Sequence, residues 1–269
     1  MVLDQIIWDV SPTIVKLGGV QLRWYGLLFA LAFVFGYIVL ERQVFRREGL
    51  KTDLLDKLAT YVIIGTVIGA RLGHVLFYEP AYYLSNPLKI FAIWQGGLAS
   101  HGAAIGILVA IWLYVRKTGK TYWWVIDRVV IVVALGGFFI RMGNLMNSEI
   151  YGHLTNLPWG FVFVRDGQTE PRHPTQIYEG LSYLILFFAL LSYYQKRYKT
   201  MRNGSIFGIF LIVLFGVRFL IEFLKEPQVE FENTMVLNMG QWLSLPFIIF
   251  GIWLLWKNTK EQKAVKVKK

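Results

Sequence analysis

The sequence predicts an all-α polytopic membrane protein of about seven transmembrane helices. Its N-terminus is expected outside and its C-terminus in the cytoplasm, with a small external cap containing some β structure. Three observations lead there. Hydrophobic residues make up 55% of the chain and charged ones only 17%, against roughly a quarter charged in soluble proteins; mean hydropathy is +0.48. The apolar residues gather in runs near the ~20 residues that cross hydrocarbon, where helix is the sensible backbone. Finally, the connections between runs alternate between basic and basic-poor.

The runs are Leu22–Leu40, Leu58–Phe77, Leu98–Val115, Trp123–Leu145, Ile177–Tyr194, Gly204–Leu224 and Met239–Trp256. One set of connections holds Arg42, Arg46, Arg47, Lys51 and Lys57, then Arg116, Lys117 and Lys120, then Lys196, Arg197, Lys199 and Arg202, then six lysines from Lys257 to Lys269. The other set holds only Lys16, Lys89, Arg165, Arg172 and Lys225. The positive-inside rule puts the first set in the cytoplasm, and such alternation needs an odd number of spans. The first 21 residues carry Asp4, Asp9 and only Lys16, the reverse of a secretory signal.

A net charge of +11 clustered at span ends points to membrane lipid and not to nucleic acid. The chain has no Cys, so it has no disulfide framework, thiolate metal site or cysteine nucleophile. No nucleotide loop, zinc motif or acidic metal cluster is visible, so neither cofactor nor metal is expected. The chain reads as one transmembrane domain over 1–269, with 146–176 inserted as the external cap. Within it Trp159–Arg165 is rich in aromatic and β-branched residues and predicts a strand or small hairpin closed by Asp166-Gly167. Asn86–Trp94 predicts a short helix lying in the interface.

Charge at membrane depth is the strongest functional signal. Arg23, Arg71, Arg141 and Arg218 fall in the outer halves of their spans, with Glu149, Glu222, His74 and His101 on the same side. Such charge on different helices is costly unless it lines a polar cavity, here one able to hold an anion. Arg128 beside Asp127 reads as a mutually satisfied anchor at the cytoplasmic end. Plainer readings compete: Arg23 can snorkel to headgroups, Arg218 and Glu222 are four apart and can neutralise each other, and His101 and His74 can be packing histidines. The glycines Gly65, Gly69 and Gly73 hint at small-residue gaps between helices.

One segment is more specific. Arg141-Met142-Gly143-Asn144-Leu145-Met146-Asn147-Ser148-Glu149-Ile150-Tyr151-Gly152 resembles the signature of bacterial prolipoprotein diacylglyceryl transferases. Similar to other motifs of that family are Arg23-Trp24-Tyr25-Gly26, Gly69-Ala70-Arg71-Leu72-Gly73, Gln95 to Gly102 around His101, Arg172 to Glu179, and Arg218 to Phe223. The likeness runs along almost the whole chain, and seven spans with the N-terminus outside is the family topology. Departures are Ala103 after Gly102, Met142 and Met146, and the lack of a tyrosine near Leu214 and Phe215.

The resemblance implies a bacterial inner-membrane transferase with its site toward the outer leaflet. It would move the diacylglyceryl group of phosphatidylglycerol to the lipobox cysteine of a preprolipoprotein signal peptide, forming a thioether and releasing glycerol phosphate. That chemistry suits the residues. Guanidinium groups grip phosphate oxygens bidentately and keep their charge, which assigns Arg141 and Arg218 to the phosphate. Asn144 lies one turn from Arg141 and orients the headgroup if the helix continues. Glu149 and Glu222 position the arginines or the glycerol hydroxyls. Tyr25, Arg71 and Gly152 join the lipid site through the motifs that hold them. His101 is the candidate base for the thiol, acting by proton transfer or by hydrogen bonding alone. Two other classes use the same arginines: a transporter or channel for an anionic solute, and a non-catalytic membrane receptor for lipoproteins. The apolar inner halves of the spans and the lack of an inverted repeat argue against transport.

Overall fold

The computed structural model describes residues 5–18, 20–93, 96–226 and 235–267. Asp4, Trp94, Gln95, Lys268 and Lys269, which enter the sequence reading, lie outside them. The chain divides into two compact units, one of residues 1–36 and 127–269, the other of 37–126.

In chain order the elements are β1 (Ile6–Trp8), β2 (Thr13–Leu17), β3 (Val20–Arg23), α1 (Trp24–Val39), α2 (Thr52–Phe77), α3 (Pro80–Ser85), α4 (Ser100–Thr118), α5 (Tyr122–Met146), β4 (Phe161–Phe163), α6 (Thr175–Arg197), α7 (Ser205–Ile221) and α8 (Met239–Val267). Among the described residues six helices are long and apolar enough to cross a membrane by length and composition: Trp24–Phe45, Thr52–Phe77, Tyr122–Met146, Thr175–Arg197, Ser205–Leu224 and Met239–Lys260. Large apolar side chains such as Leu76, Ile185, Leu220 and Ile249 stand exposed on them, as hydrocarbon-facing surfaces do and aqueous ones do not. The first of these begins two residues later than predicted, because Leu22 and Arg23 belong to β3. It also runs past Leu40 through a π turn, Leu40–Phe45.

In the unit of residues 37–126, α2 and α4 meet along small residues. A Cβ placed on Gly65 would stand 2.6 Å from the Gly106 carbonyl oxygen, and one on Gly73 would stand 2.7 Å from Gly102 Cα. The glycines taken from sequence as gaps are therefore filled by the backbone of α4, the close approach that small-xxx-small spacing permits. Leu55, Leu58, Ile111 and Tyr114 are buried in this unit, and the Tyr114 hydroxyl donates to the Leu54 carbonyl at 3.1 Å. The interfacial helix is present but in two pieces, α3 and a 3₁₀ turn over Pro87–Phe91. Pro87 has no N–H to continue α3, so the chain turns at Asn86.

The other unit is built on α5 to α8. Gly208 of α7 and Gly251 of α8 face each other, a Cβ on the second lying 2.8 Å from the carbonyl of the first. Asp127, fully buried, accepts from the backbone N–H of Gly204 at 2.7 Å and of Phe207 at 2.8 Å. The carboxylate caps the orphan donors of α7 from a different helix, a role the sequence reading did not give it.

The cap differs in its pairing. Phe161–Phe163 is a strand, as predicted, but it forms no hairpin of its own: β4 pairs in parallel with β1, Ile6 opposite Phe161 and Trp8 opposite Phe163. Phe161 also bridges to Arg172. The Trp8 indole N–H donates to the Leu145 carbonyl at 3.0 Å, and Arg165 pairs with Asp9 at 2.8 Å. Leu145, Phe161 and Phe163 form the buried cluster beneath, with Trp8, Met142, Tyr151 and Ile177 packed on it. An antiparallel hairpin of β2 and β3 precedes α1; it went unread although Thr13-Ile14-Val15 followed by Gly18 is a strand-and-turn pattern.

Candidate active site

Arg141 lies in the last part of α5, its side chain only 11% exposed. Helix continues to Met146, so Asn144 comes onto the same face, and Arg141 Nη1 donates to Asn144 Oδ1 at 3.1 Å. Asn144 Nδ2 in turn donates to Glu149 Oε1 at 2.7 Å, and Asn147 Nδ2 reaches the same oxygen at 3.3 Å. That carboxylate is carried by a strained turn. Ser148 and Ile150 have φ of 55° and 61°, left-handed values that cost a non-glycine residue about 1–3 kcal/mol each. The start of α6 clamps the turn: Thr175 Oγ1 donates to the Ile150 carbonyl at 2.8 Å and Gln176 Nε2 to the Glu149 carbonyl at 2.6 Å. Ser148 Oγ and Gln176 Oε1 are buried without a hydrogen-bond partner among the described residues.

The centre of the charge network is Glu179, one turn into α6 and fully buried. Its Oε2 lies 2.8 Å from Arg141 Nε and its Oε1 3.0 Å from Lys225 Nζ. Lys225 is also buried and pairs with Glu222 Oε2 at 3.2 Å. Gly180 permits this approach, since a Cβ there would stand 2.7 Å from Met142 Cε and 3.4 Å from Arg141 Cβ. The Tyr183 hydroxyl donates to Glu179 Oε1 at 3.4 Å. Arg218 is half-buried and its charge acts on both Glu179 and Tyr183, yet it makes no hydrogen bond or ion pair among the described residues. The helical pairing of Arg218 with Glu222 read from their spacing is replaced by Glu222–Lys225. The reason is local: α7 stops at Ile221, and a 3₁₀ turn over Glu222–Leu224 brings Lys225 back to the carboxylate.

The model of the prolipoprotein diacylglyceryl transferase family matches residues 12–257. The chain belongs to that family. It is similar to the protein of Tolumonas auensis named phosphatidylglycerol–prolipoprotein diacylglyceryl transferase, 48% identical over 258 residues that cover 96% of this chain and 99% of that one. A protein of the same name from Porphyromonas gingivalis is 47% identical over 276 residues, covering 97% and 98%. One from Bacteroides fragilis is 43% identical over 276 residues, covering 98% and 99%.

Against this family background the predicted residues separate into groups. Arg141, Asn144, Glu149, Arg218, Glu222 and Tyr25 belong to one unit; the Tyr25 ring lies against Gly143, and the charges of Glu149 and Arg141 act on its hydroxyl. Gly152 is in the same unit and is closely packed. Its N–H donates to the His173 carbonyl at 2.8 Å, and a Cβ would collide with the side chains of His173 and Thr175, each 2.9 Å away. Arg71 and His101 belong to the other unit. Arg71 spends its donors on backbone: Nε on Ile90, Nη1 on Gly96 and Gly97, Nη2 on Lys89 and Ala92. A guanidinium has five N–H groups, and this arginine places them on the carbonyls of these five residues. Sequence reasoning missed Glu179 and Lys225. Glu179 sits inside the predicted span Ile177–Tyr194, and a lone carboxylate there was signal enough.

In the cap, Tyr151 donates to Asp166 and accepts from Gln168 Nε2 at 2.8 Å, with Arg172 over its ring. Burial first, then Asp166, pushes its hydroxyl up to about 12, so it stays protonated. His173 is held below its ordinary value by burial and by the neighbouring charge of His153. A depressed histidine binds its proton less readily folded than unfolded, so stability falls as pH drops below the unfolded value of about 6.5.

Two outcomes are expected. Glu179→Gln leaves Arg141 and Lys225 facing a neutral amide, and breaking a buried pair costs about 3–5 kcal/mol; thermal unfolding in detergent will show a lower midpoint, and an unchanged one would contradict the network. Lowering the pH from about 7.5 to about 5 will reduce the unfolding temperature of the wild type more than that of His173→Gln, by the linkage above; equal reductions would remove His173 as the cause.

Proposed function

We propose that the chain transfers the diacylglyceryl group of phosphatidylglycerol to the thiol of a lipobox cysteine in a preprolipoprotein signal peptide, the first step of bacterial lipoprotein maturation. The observation that carries this reading is the pair of arginines around Glu179. Arg141 is fixed by Glu179 and Asn144, while Arg218, acting on the same carboxylate, has its donors open among the described residues. A phosphodiester headgroup completes such a site.

The cysteine sulfur attacks the diacylglycerol carbon bonded to the phosphate oxygen. A C–S bond forms, the C–O bond breaks, and its electron pair leaves on glycerol phosphate. The thiol proton goes to His101 and from there to solvent; a free thiol has a pKa of about 8.5, so a base raises the thiolate fraction near neutral pH. Charge grows on the leaving phosphate as the bond breaks. A fixed guanidinium group stabilises that charge without reorganising, which is the role of Arg141, while Arg218 meets the same phosphate with its open donors. Asn144 and Glu149, locked by the strained turn, and Glu222 and Tyr25 address the glycerol hydroxyls of the headgroup. Gly152 serves the site by shaping backbone, and Arg71 shapes backbone within its own unit.

In this reading the whole chain is one catalytic domain with 146–176 as an external cap. It has seven spans, the seventh being α4, whose 19 residues extend about 28 Å but carry Arg116 and Lys117 at one end. The N-terminus is outside, the basic connections are cytoplasmic, and the site opens to the outer leaflet of the bacterial inner membrane. Both substrates present themselves at that leaflet.

The deciding experiment is incubation of the purified protein with labelled phosphatidylglycerol and a lipobox peptide. A lipid-modified peptide and released glycerol phosphate are expected; their absence would end the proposal. In the same assay Arg141→Ala and Arg218→Ala will each lose at least about 100-fold in rate, as for removal of one donor to a developing oxyanion, while still inserting in the membrane. His101→Gln will lose rate much more than donor-lipid affinity. For the topology, a cysteine placed at Lys199 will react with an impermeant thiol reagent only in permeabilised cells; labelling of intact cells would reverse the orientation.

A further inference from the structure

The unit of residues 37–126 contains a cavity of about 700 Å³ lined by His74, Tyr78, Glu79, Tyr82, Tyr83 and Lys89, with the backbone of Gly96 and Gly97 on one side. One wall is shared with His101. The Tyr78 ring stacks on His101 with centroids 5.8 Å apart and planes at 27°, and it also stacks on His74 at 5.5 Å and 16°. Phe77 meets His101 edge-on at 5.3 Å. His101 is thus held by two consecutive aromatic residues at the end of α2, and the cavity begins at the ring that holds it.

The chemistry of the lining selects the occupant. Arg71 stands behind Tyr83, its guanidinium 4.9 Å from the ring centre, but its donors are spent on backbone carbonyls. His74 Nε2 lies 3.8 Å from Glu79 Oε2, and Lys89 is the one full cation among the described lining residues. A phosphodiester would meet an acidic side chain and no free guanidinium. An extended peptide would meet three tyrosines, whose rings take apolar side chains and whose hydroxyls bond amides, and the backbone of two glycines with φ of 90° and 71°.

The rim adds a second reason. Leu84, Leu88 and Phe91, on α3 and the 3₁₀ turn that border the cavity, are 83%, 83% and 73% exposed. Large apolar side chains that bare belong in the interfacial layer of a bilayer. A cysteine that follows a membrane-inserted segment reaches the aqueous side at that level.

We propose that this cavity is the subsite for the stretch of acceptor peptide flanking the reactive cysteine, and that Tyr82 and Tyr78 bind it. The proposal rests on the transferase reading and on His101 as the group that meets the thiol. Bound there, the peptide would lie along the aromatic wall that also holds the imidazole.

The test uses the full-length protein in nanodiscs containing phosphatidylglycerol. Tyr82 is 48% exposed, so Tyr82→Ala is expected to fold. It will raise the KM for a lipobox peptide about tenfold, the loss of one good aromatic contact, and leave the KM for phosphatidylglycerol unchanged. A raised KM for the lipid alone would give the cavity to the lipid and overturn the proposal, as would no change in either. A benzophenone amino acid in place of Tyr82 is expected to crosslink the same peptide near its cysteine. That measurement needs no turnover, so it judges the subsite even if the wild type proves unable to modify the peptide, and failure to crosslink beyond the level of a scrambled peptide counts against it.

Discussion

A carboxylate with no access to water has to be balanced where it lies, and much of the first unit is arranged around that requirement at Glu179. Removing an ion from water costs several kcal/mol even after relaxation. Here the cost is offset by Arg141 from α5 and Lys225 from beyond α7, each within 3.0 Å. Each approach has its own local condition. Gly180 lets α5 come close enough for Arg141, and the 3₁₀ turn after Ile221 returns Lys225 to the same point while engaging Glu222. The arrangement ties three segments distant in sequence to one side chain.

In the proposed function the same balance prepares the site for an anion. Arg141 is fixed before a ligand arrives, because Glu179 and Asn144 take its donors in defined directions, and Asn144 is itself fixed by Glu149. The strained turn at Ser148–Ile150 follows from this chain of contacts. With left-handed backbone at Ser148 and Ile150, Glu149 reaches back to Asn144 while its carbonyl meets Gln176. The strain, about 1–3 kcal/mol per residue, is supported by the clamp from Thr175 and Gln176. A mobile arginine would lose side-chain entropy on binding a phosphate; one already held has lost it during folding.

What could be read from sequence follows the range of the interactions involved. Six of the seven predicted runs correspond to helices long and apolar enough to cross a membrane among the described residues, because helix in hydrocarbon is dictated by local composition. Arg141, Asn144 and Glu149 were legible as a group because they are neighbours in sequence. The partner of Glu222 was not, since Arg218 and Lys225 are both at helical spacing and the choice depends on where α7 ends. The β1–β4 pair was illegible for a plainer reason: it joins Ile6 to Phe161, and no local pattern specifies a parallel partner so far away. Glu179 lay in view inside a span, but its role emerged only when two cations were found on it.

The arginines show why an intramembrane charge cannot be given a role from its depth alone. Arg71 and Arg218 look alike in sequence, each a lone basic residue in the outer half of an apolar run. Their hydrogen bonds distinguish them. Arg71 places its guanidinium against the carbonyls of Lys89, Ile90, Ala92, Gly96 and Gly97, so its charge is satisfied by backbone dipoles and it acts as a staple. Arg218 is half-buried beside a carboxylate already shared by two other cations, so that carboxylate cannot also neutralise it fully. A positive charge left unbalanced in a medium of low dielectric is unfavourable until an anion arrives, and in the proposed function the free energy then released serves to bind the phosphate and to stabilise it as it departs. The useful measure of such an arginine is how many of its donors the fold has left unused.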